Sequence, residues 1–485
     1  MSTATIDHLD PDVLRAYIER TRWFAGKGRD LHIGEVTRLG VLPGDGPVVV
    51  VHLVEVVYDD AAGGRELYQV PLVFYRDPEP RLEHALVGSW EEPADAPLPG
   101  AVHAYDALHD REATAQWLRA FAATPAGGSR TADAFVVHRV PGHELDVDAV
   151  PSLYPGEQSN SSVFFGEDAV MKVFRKVTPG VNPDIEVHDV LTRAGSENVA
   201  ALYAWLEHLD ADGSPWQLAM LQQFLRTATD GWTLALGSVR DLLAETVTHA
   251  LEADAADQVH ARDAGGDFAG EAARLGESVR AVHDLLAEQF PTERADAQDA
   301  AALAAVLHRR LEAAVDAVPE LAEHRDGVAA LYDRVAALEG FERQRVHGDL
   351  HLGQTLRTSK GWKIVDFEGE PAAPLAERVR PDSRWRDVAG MLRSFDYAPR
   401  VVERDFALDH PGTDEARDQR AAEWAHRNRN HFLTAYAGGE LSADERLLLD
   451  AYTADKAVYE TVYETRNRPT WAAIPLRAVA EIGAA

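Results

Sequence analysis

The stretch VHGDLHLGQTLRTSKGWKIVDFEGEP, residues 346–371, sets carboxylates, an amide and two histidines beside the apolar run Trp362-Lys363-Ile364-Val365. Carboxylates next to a core strand are costly unless they are paired, hydrogen-bonded or bound to a cation. One chemistry uses them all. Asp349 accepts the proton of an attacking hydroxyl, while the oxygens of Gln354 and Asp366 hold a hard divalent cation, Mg²⁺. Phosphoryl transfer needs this set, because there a protein mainly positions groups and neutralises charge. Rival chemistries explain less. His347 and His351 have the i, i+4 spacing of zinc ligands on a helix, but Gly348 and Gly353 argue against a helix and no third ligand is evident. A carboxylate pair would also suit glycoside hydrolysis, which leaves Lys172, Glu186 and Gln354 without a role. A plain acidic loop is the third reading, and the adjoining core strand speaks against it.

The elements around these residues are legible. In AVMKVF, Lys172 sits within a strand between apolar neighbours, where a lysine commonly faces solvent on an edge. Its functional reading is a cation for nucleotide phosphates, oriented by Glu186 on the helix that follows. That helix, IEVHDVLTRAG, is announced by Asn182-Pro183-Asp184 and closed by Gly195. SNSSVFFGEDAVMKVFRKV predicts a hairpin turning at Gly166-Glu167-Asp168, and WQLAMLQQF (216–224) a further strand. GEQSNSS (156–162) offers small and hydroxyl residues, among them Ser159 and Ser161, whose backbone N–H groups could meet phosphates; an ordinary loop is the plainer alternative. No GxxxxGK[ST] or GxGxxG is present.

Upstream, Asp10-Pro11 predicts a short helix carrying Val13, Leu14 and Tyr17, and residues 47–58 and 66–76 predict a strand–turn–strand unit around DDAAGG. Residues 78–100 read as a surface loop, 103–124 as a helix and 123–130 as a connector. Beyond residue 235 the pattern is mostly helical, with Leu275, Val279, Val282 and Leu286 marking one face, and further helices at 301–338, 416–438 and 442–466. The expected organisation is 1–90, a linking segment 91–134, a β-rich part 135–224 and a helical part 225–485.

Composition narrows the function classes. The 485-residue chain carries a formal net charge of −32, which excludes a nucleic-acid binder without a basic patch, and none of consequence is visible. There is no apolar run of about 18 residues to cross a membrane and no secretory signal pattern. Cysteine is absent, which excludes disulfides and thiolate metal sites and suits the cytoplasm.

HGDLHLGQ resembles the loop His-x-Asp-x-x-x-x-Asn, with Gln354 in place of asparagine, and VDFE resembles a metal-binding aspartate at a strand end. With RWFAGKGR (22–29), EQSNSSVFF, MKVFRKV, NPDIEVHDVLTRAG, GDFAGE, RPDSRWRDVAGMLRSFDYA and DKAVYETVYETRNRP, nearly the whole chain resembles the actinobacterial maltokinase-like sugar kinases. The resemblance implies an α+β, bilobal protein-kinase-like fold of the aminoglycoside-phosphotransferase type with an N-terminal α+β cap. It implies ATP bound between a small β-lobe and a helical lobe. Lys172 would engage the phosphates with Glu186 orienting it, Asp349 would be the base, and Gln354 and Asp366 would hold Mg²⁺. Met220 and Gln222 lie on the strand whose backbone would meet adenine.

For the sugar, Lys456, Glu460 and Glu464, and separately Asp455, Tyr459 and Tyr463, recur every fourth residue along one helix, a polar and aromatic surface suited to a sugar ring. A solvated helix with i, i+4 pairs is the plainer alternative. His351, Glu368, Arg393 and Glu423 complete the expected sugar contacts, with Asp387 also facing the cleft. Maltokinases phosphorylate maltose at its anomeric hydroxyl, and related glucosamine kinases phosphorylate the 6-hydroxyl of an amino sugar. WAAIPL (471–476), where WLPIPL is usual, and RNRNHFLTAY (427–436) depart from the maltokinase pattern, and nearby Glu423, Glu460 and Glu464 suit a cation. The expectation is therefore glucosamine, with maltose as the alternative. A non-catalytic kinase-like binding partner is the alternative of another class; the presence of Lys172, Asp349 and Asp366 weighs against it. A monomer or weak homodimer is expected.

Overall fold

Asp10 starts the first helix as its sequence predicts: α1 (Pro11–Arg20) has Asp10 at its N-cap, accepting from the Asp12 N–H at 2.9 Å, and buries Leu14, Tyr17 and Ile18. The computed structural model describes residues 9–92, 100–156, 159–251, 267–370, 373–409 and 414–484. Glu157 and Gln158 of the GEQSNSS loop, and Gly266 and Pro371 at the ends of two quoted motifs, lie outside them.

Five strands follow: β1 (Leu31–Val41), β2 (Val49–Tyr58), β3 (Arg65–Tyr75), β4 (Leu86–Glu92) and β5 (Gly100–Asp106). They are ordered β1-β2-β3-β5-β4. The expected hairpin is β2–β3, antiparallel with Val50 opposite Leu72, and Gly63 and Gly64 supply the positive φ of its turn. The loop expected at 78–100 is instead interrupted by β4, and the helix expected from 103 begins only at α2 (Arg111–Ala122), because β5 runs to Asp106. The first sheet thus continues past residue 90. β4 reads poorly because it pairs only with β5 and carries Glu91 and Glu92 outward, as edge strands do.

The second sheet is built from β6 (Ser129–Ala132), β7 (Phe135–Arg139), β8 (Pro151–Leu153), β9 (Ser161–Phe165), β10 (Ala169–Val173), β12 (Leu202–Leu209) and β13 (Pro215–Gln223). Its order is β6-β7-β12-β13-β10-β9-β8, while the short β11 (Lys176–Val177) joins β3 of the first sheet. Gly166, at φ +55°, makes the predicted β9–β10 turn. Asn182 Oδ1 accepts from Asp184 N–H at 2.8 Å and starts α3 (Pro183–Arg193). The two sheets share one core, in which Val49, Val51, Trp117 and Phe121 pack with Phe135, Val163, Phe165 and Met171. They accordingly form a single unit, residues to Arg193 together with Ala200–Arg226.

The second unit is Ala194–Val199 with Thr227–Ala485. It opens with β14 (Thr229–Asp230), α4 (Gly231–Leu251) and α5 (Ala269–Gln289), the last burying the predicted face Leu275, Val279, Val282 and Leu286. After β15 (Glu293–Asp296), the segment expected as one helix is two, α6 (Ala297–Ala317) and α7 (Arg325–Ala336), because Pro319 biases Val318 out of the helical region. Next come β16 (Gly340–Arg343), β17 (Thr355–Thr358), β18 (Gly361–Ile364), α8 (Leu375–Arg378), α9 (Trp385–Asp409), α10 (Asp414–Ala437), α11 (Ala443–Asn467) and α12 (Ala473–Gly483). The 194–199 segment belongs here because Asn198 O accepts from Ile364 N–H at 2.7 Å. Among the described residues no helix is long and apolar enough to cross a membrane.

Candidate active site

Strand parity decides which residues accompany Lys172. Residues directly opposite one another across an antiparallel pair point to the same face. Lys172 is opposite Ser162 on one side and Met220 on the other. Ser161 therefore points away from Lys172, and its hydroxyl accepts from the buried Arg175 Nε at 2.7 Å. This corrects the expectation for Ser161; Ser162 is the hydroxyl on the Lys172 face. Ser159 is exposed at the loop, and the Met220 side chain is fully buried with Ile185 and Leu202. Gln222 is opposite Val170, and its buried Oε1 has no hydrogen-bond partner in the protein.

The Lys172 ammonium donates to Asp184 Oδ2 at 2.9 Å. Burial pushes the Asp184 carboxyl up, but Lys172 and His188 overcome it and hold the group well below the usual carboxylate range. The sequence offered Glu186, two positions on in the same first turn of α3, as the partner; Asp184 was read only as a first-turn acid.

In the second unit, the loop 346–354 is fixed from below by α9. Asp387, fully buried, accepts the backbone N–H of His347 at 2.7 Å and of Gly348 at 2.8 Å, and pairs with His283 Nε2 at 3.0 Å. Asp387 thus supports the loop rather than facing a cleft, which corrects that expectation. Gly348 takes φ +86°, a conformation that favours glycine, where the chain turns toward Asp349. His347 bridges the loop to the next strand: Nε2 meets Val365 O at 2.9 Å, and Nδ1 accepts from Asp349 N–H at 3.3 Å. His351 accepts from Gly353 N–H at 3.1 Å. Both histidines are therefore engaged within the loop.

Asp349 Oδ1 accepts from Lys456 Nζ at 3.2 Å. Burial pushes the Asp349 carboxyl up, but the Lys456 ammonium and His351 more than offset it, so the group lies below its ordinary value. Burial likewise lowers His351. Asp366 stands just past β18 with φ +69°, one of two described non-glycine residues at positive φ, and accepts from Gln354 Nε2 at 3.2 Å. An amide and a carboxylate brought together on a short loop and a strand end supply the oxygen donors that suit a hard cation. A Glu368 carboxylate oxygen lies within 4.8 Å of one from Asp366.

A cavity of about 720 Å³ opens beside Asp349 and His351. One stripe of α11 lines it: Lys456, Tyr459, Glu460, Tyr463 and Glu464, the i, i+3, i+4, i+7, i+8 positions of a single helical face. The two expected trios are therefore merged, and Asp455 is turned elsewhere, buried against Arg310 at 2.7 Å. Burial pushes the Glu460 and Glu464 carboxyls up, each partly offset by an arginine, Arg393 and Arg468 respectively.

Three expected sugar contacts are corrected. Arg393 is 1% exposed and holds Glu460 and Asp396, each at 2.9 Å, so it sets the carboxylate behind the cavity wall. Glu423 is paired with Arg420 one turn away on α10 and is not among the lining residues. Glu368 stands beside Asp366, and Glu370 lines the cavity in its place. Sequence reasoning missed Trp232, Tyr397 and Arg468 on the lining; Trp471, the first residue of the divergent WAAIPL segment, is also there.

The family model described as the maltokinase N-terminal cap domain matches residues 17–110. A glucosamine kinase of Streptacidiphilus jiangxiensis is 31% identical over 334 residues, covering 66% of this chain and 70% of the relative. The chain belongs to the maltokinase-like glucosamine kinase family. A second relative, a glucosamine kinase of Mycolicibacterium smegmatis, is 26% identical over 66% of this chain and 76% of its own. A solved glucosamine kinase structure matches with a TM-score of 0.67 at 24% identity, covering 98% of this chain and 99% of that one. A glucosamine kinase solved with glucosamine, ADP and inorganic phosphate matches with a TM-score of 0.65 at 24% identity, covering 96% and 98%. The expected α+β kinase-like fold with an N-terminal cap is thus borne out. The protein is a phosphotransferase that acts on a sugar hydroxyl.

Proposed function

We propose that the protein transfers the γ-phosphate of ATP to the 6-hydroxyl of glucosamine, giving glucosamine 6-phosphate and ADP. The observation that carries this reading is the composition of the Asp349 cavity. Its lining holds five carboxylates, Asp230, Asp349, Glu370, Glu460 and Glu464, against two fixed cations, Lys456 and Arg468. An amino sugar in its ammonium form is favoured by that excess of negative charge, while its ring packs on Tyr459, Tyr463 or Trp471. The relatives named glucosamine kinase support the same acceptor.

Asp349, ionised at neutral pH, takes the proton of the hydroxyl as its oxygen bonds to the γ-phosphorus, and the bond from that phosphorus to the β–γ bridging oxygen breaks. Lys456 orients Asp349 and keeps it ionised. Lys172, held by Asp184 and with Glu186 on the same helical turn, takes the phosphates; Ser159 and Ser162 offer hydroxyls to them. The β13 backbone at Met220 and Gln222 takes adenine. Gln354 and Asp366, with Glu368 beside them, would hold Mg²⁺, which when bound neutralises phosphate charge.

Maltose is the second reading. It is favoured by the maltokinase description of the cap and by a further cavity of about 590 Å³ that shares Asp349, Glu370, Lys456 and Tyr459 and has room for a second ring. The test is ADP release from Mg-ATP with glucosamine, maltose, glucose and aminoglycosides. The highest kcat/KM is expected with glucosamine. A preference for maltose would replace the acceptor, and no turnover with any sugar would leave a kinase-like binding protein.

A further inference from the structure

We infer that the first unit carries a second anion site, a cavity between the C-terminal end of α1 and the loop entering β9, that binds phosphate esters of sugar-sized molecules. The cavity measures about 470 Å³ and is lined by Arg20, Arg22 and Arg175, with His84 and His109 at 3.2 Å from each other. No carboxylate is among its described lining residues, in a chain with 80 acidic and 48 basic side chains. The Asp349 cavity has the opposite composition.

The arginines are held in ways that leave their charge available. Arg20 and Arg22 donate to neutral main-chain carbonyls, those of Leu86 and Pro155. Such contacts fix a guanidinium without neutralising it, and its remaining N–H groups keep the planar fork that matches a phosphate. Arg175 is 1% exposed and lies 4.8 Å from the Trp23 ring centre. Its Nη2 donates to Asp106 at 2.7 Å, a carboxylate that also accepts from Tyr17, while its Nη1 has no hydrogen-bond partner among the described residues. A buried N–H left without an acceptor is costly, and an anion entering the cavity would relieve it.

The space exceeds what inorganic phosphate fills and falls in the range of small-molecule sites. Trp23 and Tyr154 supply aromatic surface on the lining for the rest of the ester. The Lys172 face of the second sheet is separate, because Ser161 and Lys172 point to opposite faces.

Calorimetry on the full chain, with glucosamine saturating, tests the inference using glucose 6-phosphate and, alongside it, inorganic phosphate. Glucose 6-phosphate is expected to bind, and inorganic phosphate more weakly. The double variant Arg20→Gln/Arg22→Gln, whose sites are exposed and whose fold circular dichroism can verify, should weaken both about tenfold or more, as loss of charged hydrogen bonds does. Lys172→Met should leave both unchanged. Absence of binding, binding that survives the double variant, or binding lost in Lys172→Met would overturn the site. Equal affinity for the two ligands would overturn the ester assignment.

Discussion

Asp349 feels two opposed influences, burial that raises its pKa and the Lys456 ammonium that lowers it, and the second wins. The acid limb of kcat/KM due to Asp349 should therefore fall below the ordinary aspartate range, about 3.9. Lys456→Met removes the lowering influence and leaves burial, so the limb should move to higher pH; a pH–rate profile of the variant checks this, and an unmoved limb would show that Lys456 does not set the base. Asp184→Asn should raise KM for ATP more than it lowers the melting temperature, because it removes the carboxylate that holds Lys172 at 2.9 Å. Asp349, Gln354, Asp366 and Lys172 were legible because each type has few other reasons to stand at a strand end or in a tight polar loop. Asp184 and Ser162 were not, because the choice between neighbours on one helical turn or on successive strand positions is made by packing against other strands. Arg393 and Glu423 show the same limit: an arginine or glutamate near a site in sequence may be spent on a partner inside its own helix layer.

At the scale of elements, α9 determines how the loop 346–354 sits. Asp387→Ala leaves the buried N–H groups of His347 and Gly348 without their acceptor, at a cost of about 1–3 kcal/mol each. It should lower both the melting temperature and kcat, with KM for ATP changing less. Gly390 on the same helix gives an independent check, since a Cβ there would lie 2.5 Å from Leu350 O. Gly390→Ala should thus displace the loop and reduce kcat in a folded protein; unchanged turnover would mean the loop position is not critical. Helices with clear apolar periodicity and caps, such as α1, α3 and α5, were legible to within a few residues. The stripe on α11 was half legible, since fourfold spacing alone suggested two surfaces where i, i+3 contacts make one. β4 was hidden because an edge strand with glutamates carries the pattern of a loop.

For the molecule as a whole, the expected four-part division gives way to two units, because the cap sheet and the second sheet close on one core that no local pattern reveals. The two cavities divide the charge: the acidic one holds the proposed acceptor, and the basic one lies in the unit that carries the cap. Buried Asp106, Asp184 and Asp387 all have pKa values below their ordinary one. Their contribution to stability is present above the unfolded value, about 3.9, and is lost as pH falls through the lower folded values. The melting temperature should accordingly drop steeply below about pH 4, and less steeply in Asp387→Asn. The most direct test of the central claim is single-turnover phosphoryl transfer from Mg-ATP to glucosamine, followed by ³¹P NMR for the wild type and Asp349→Asn. The account predicts a 6-phosphate ester from the wild type and a rate lower by about 10²–10⁴-fold in the variant. An ester at another hydroxyl, or a variant as fast as the wild type, would contradict it.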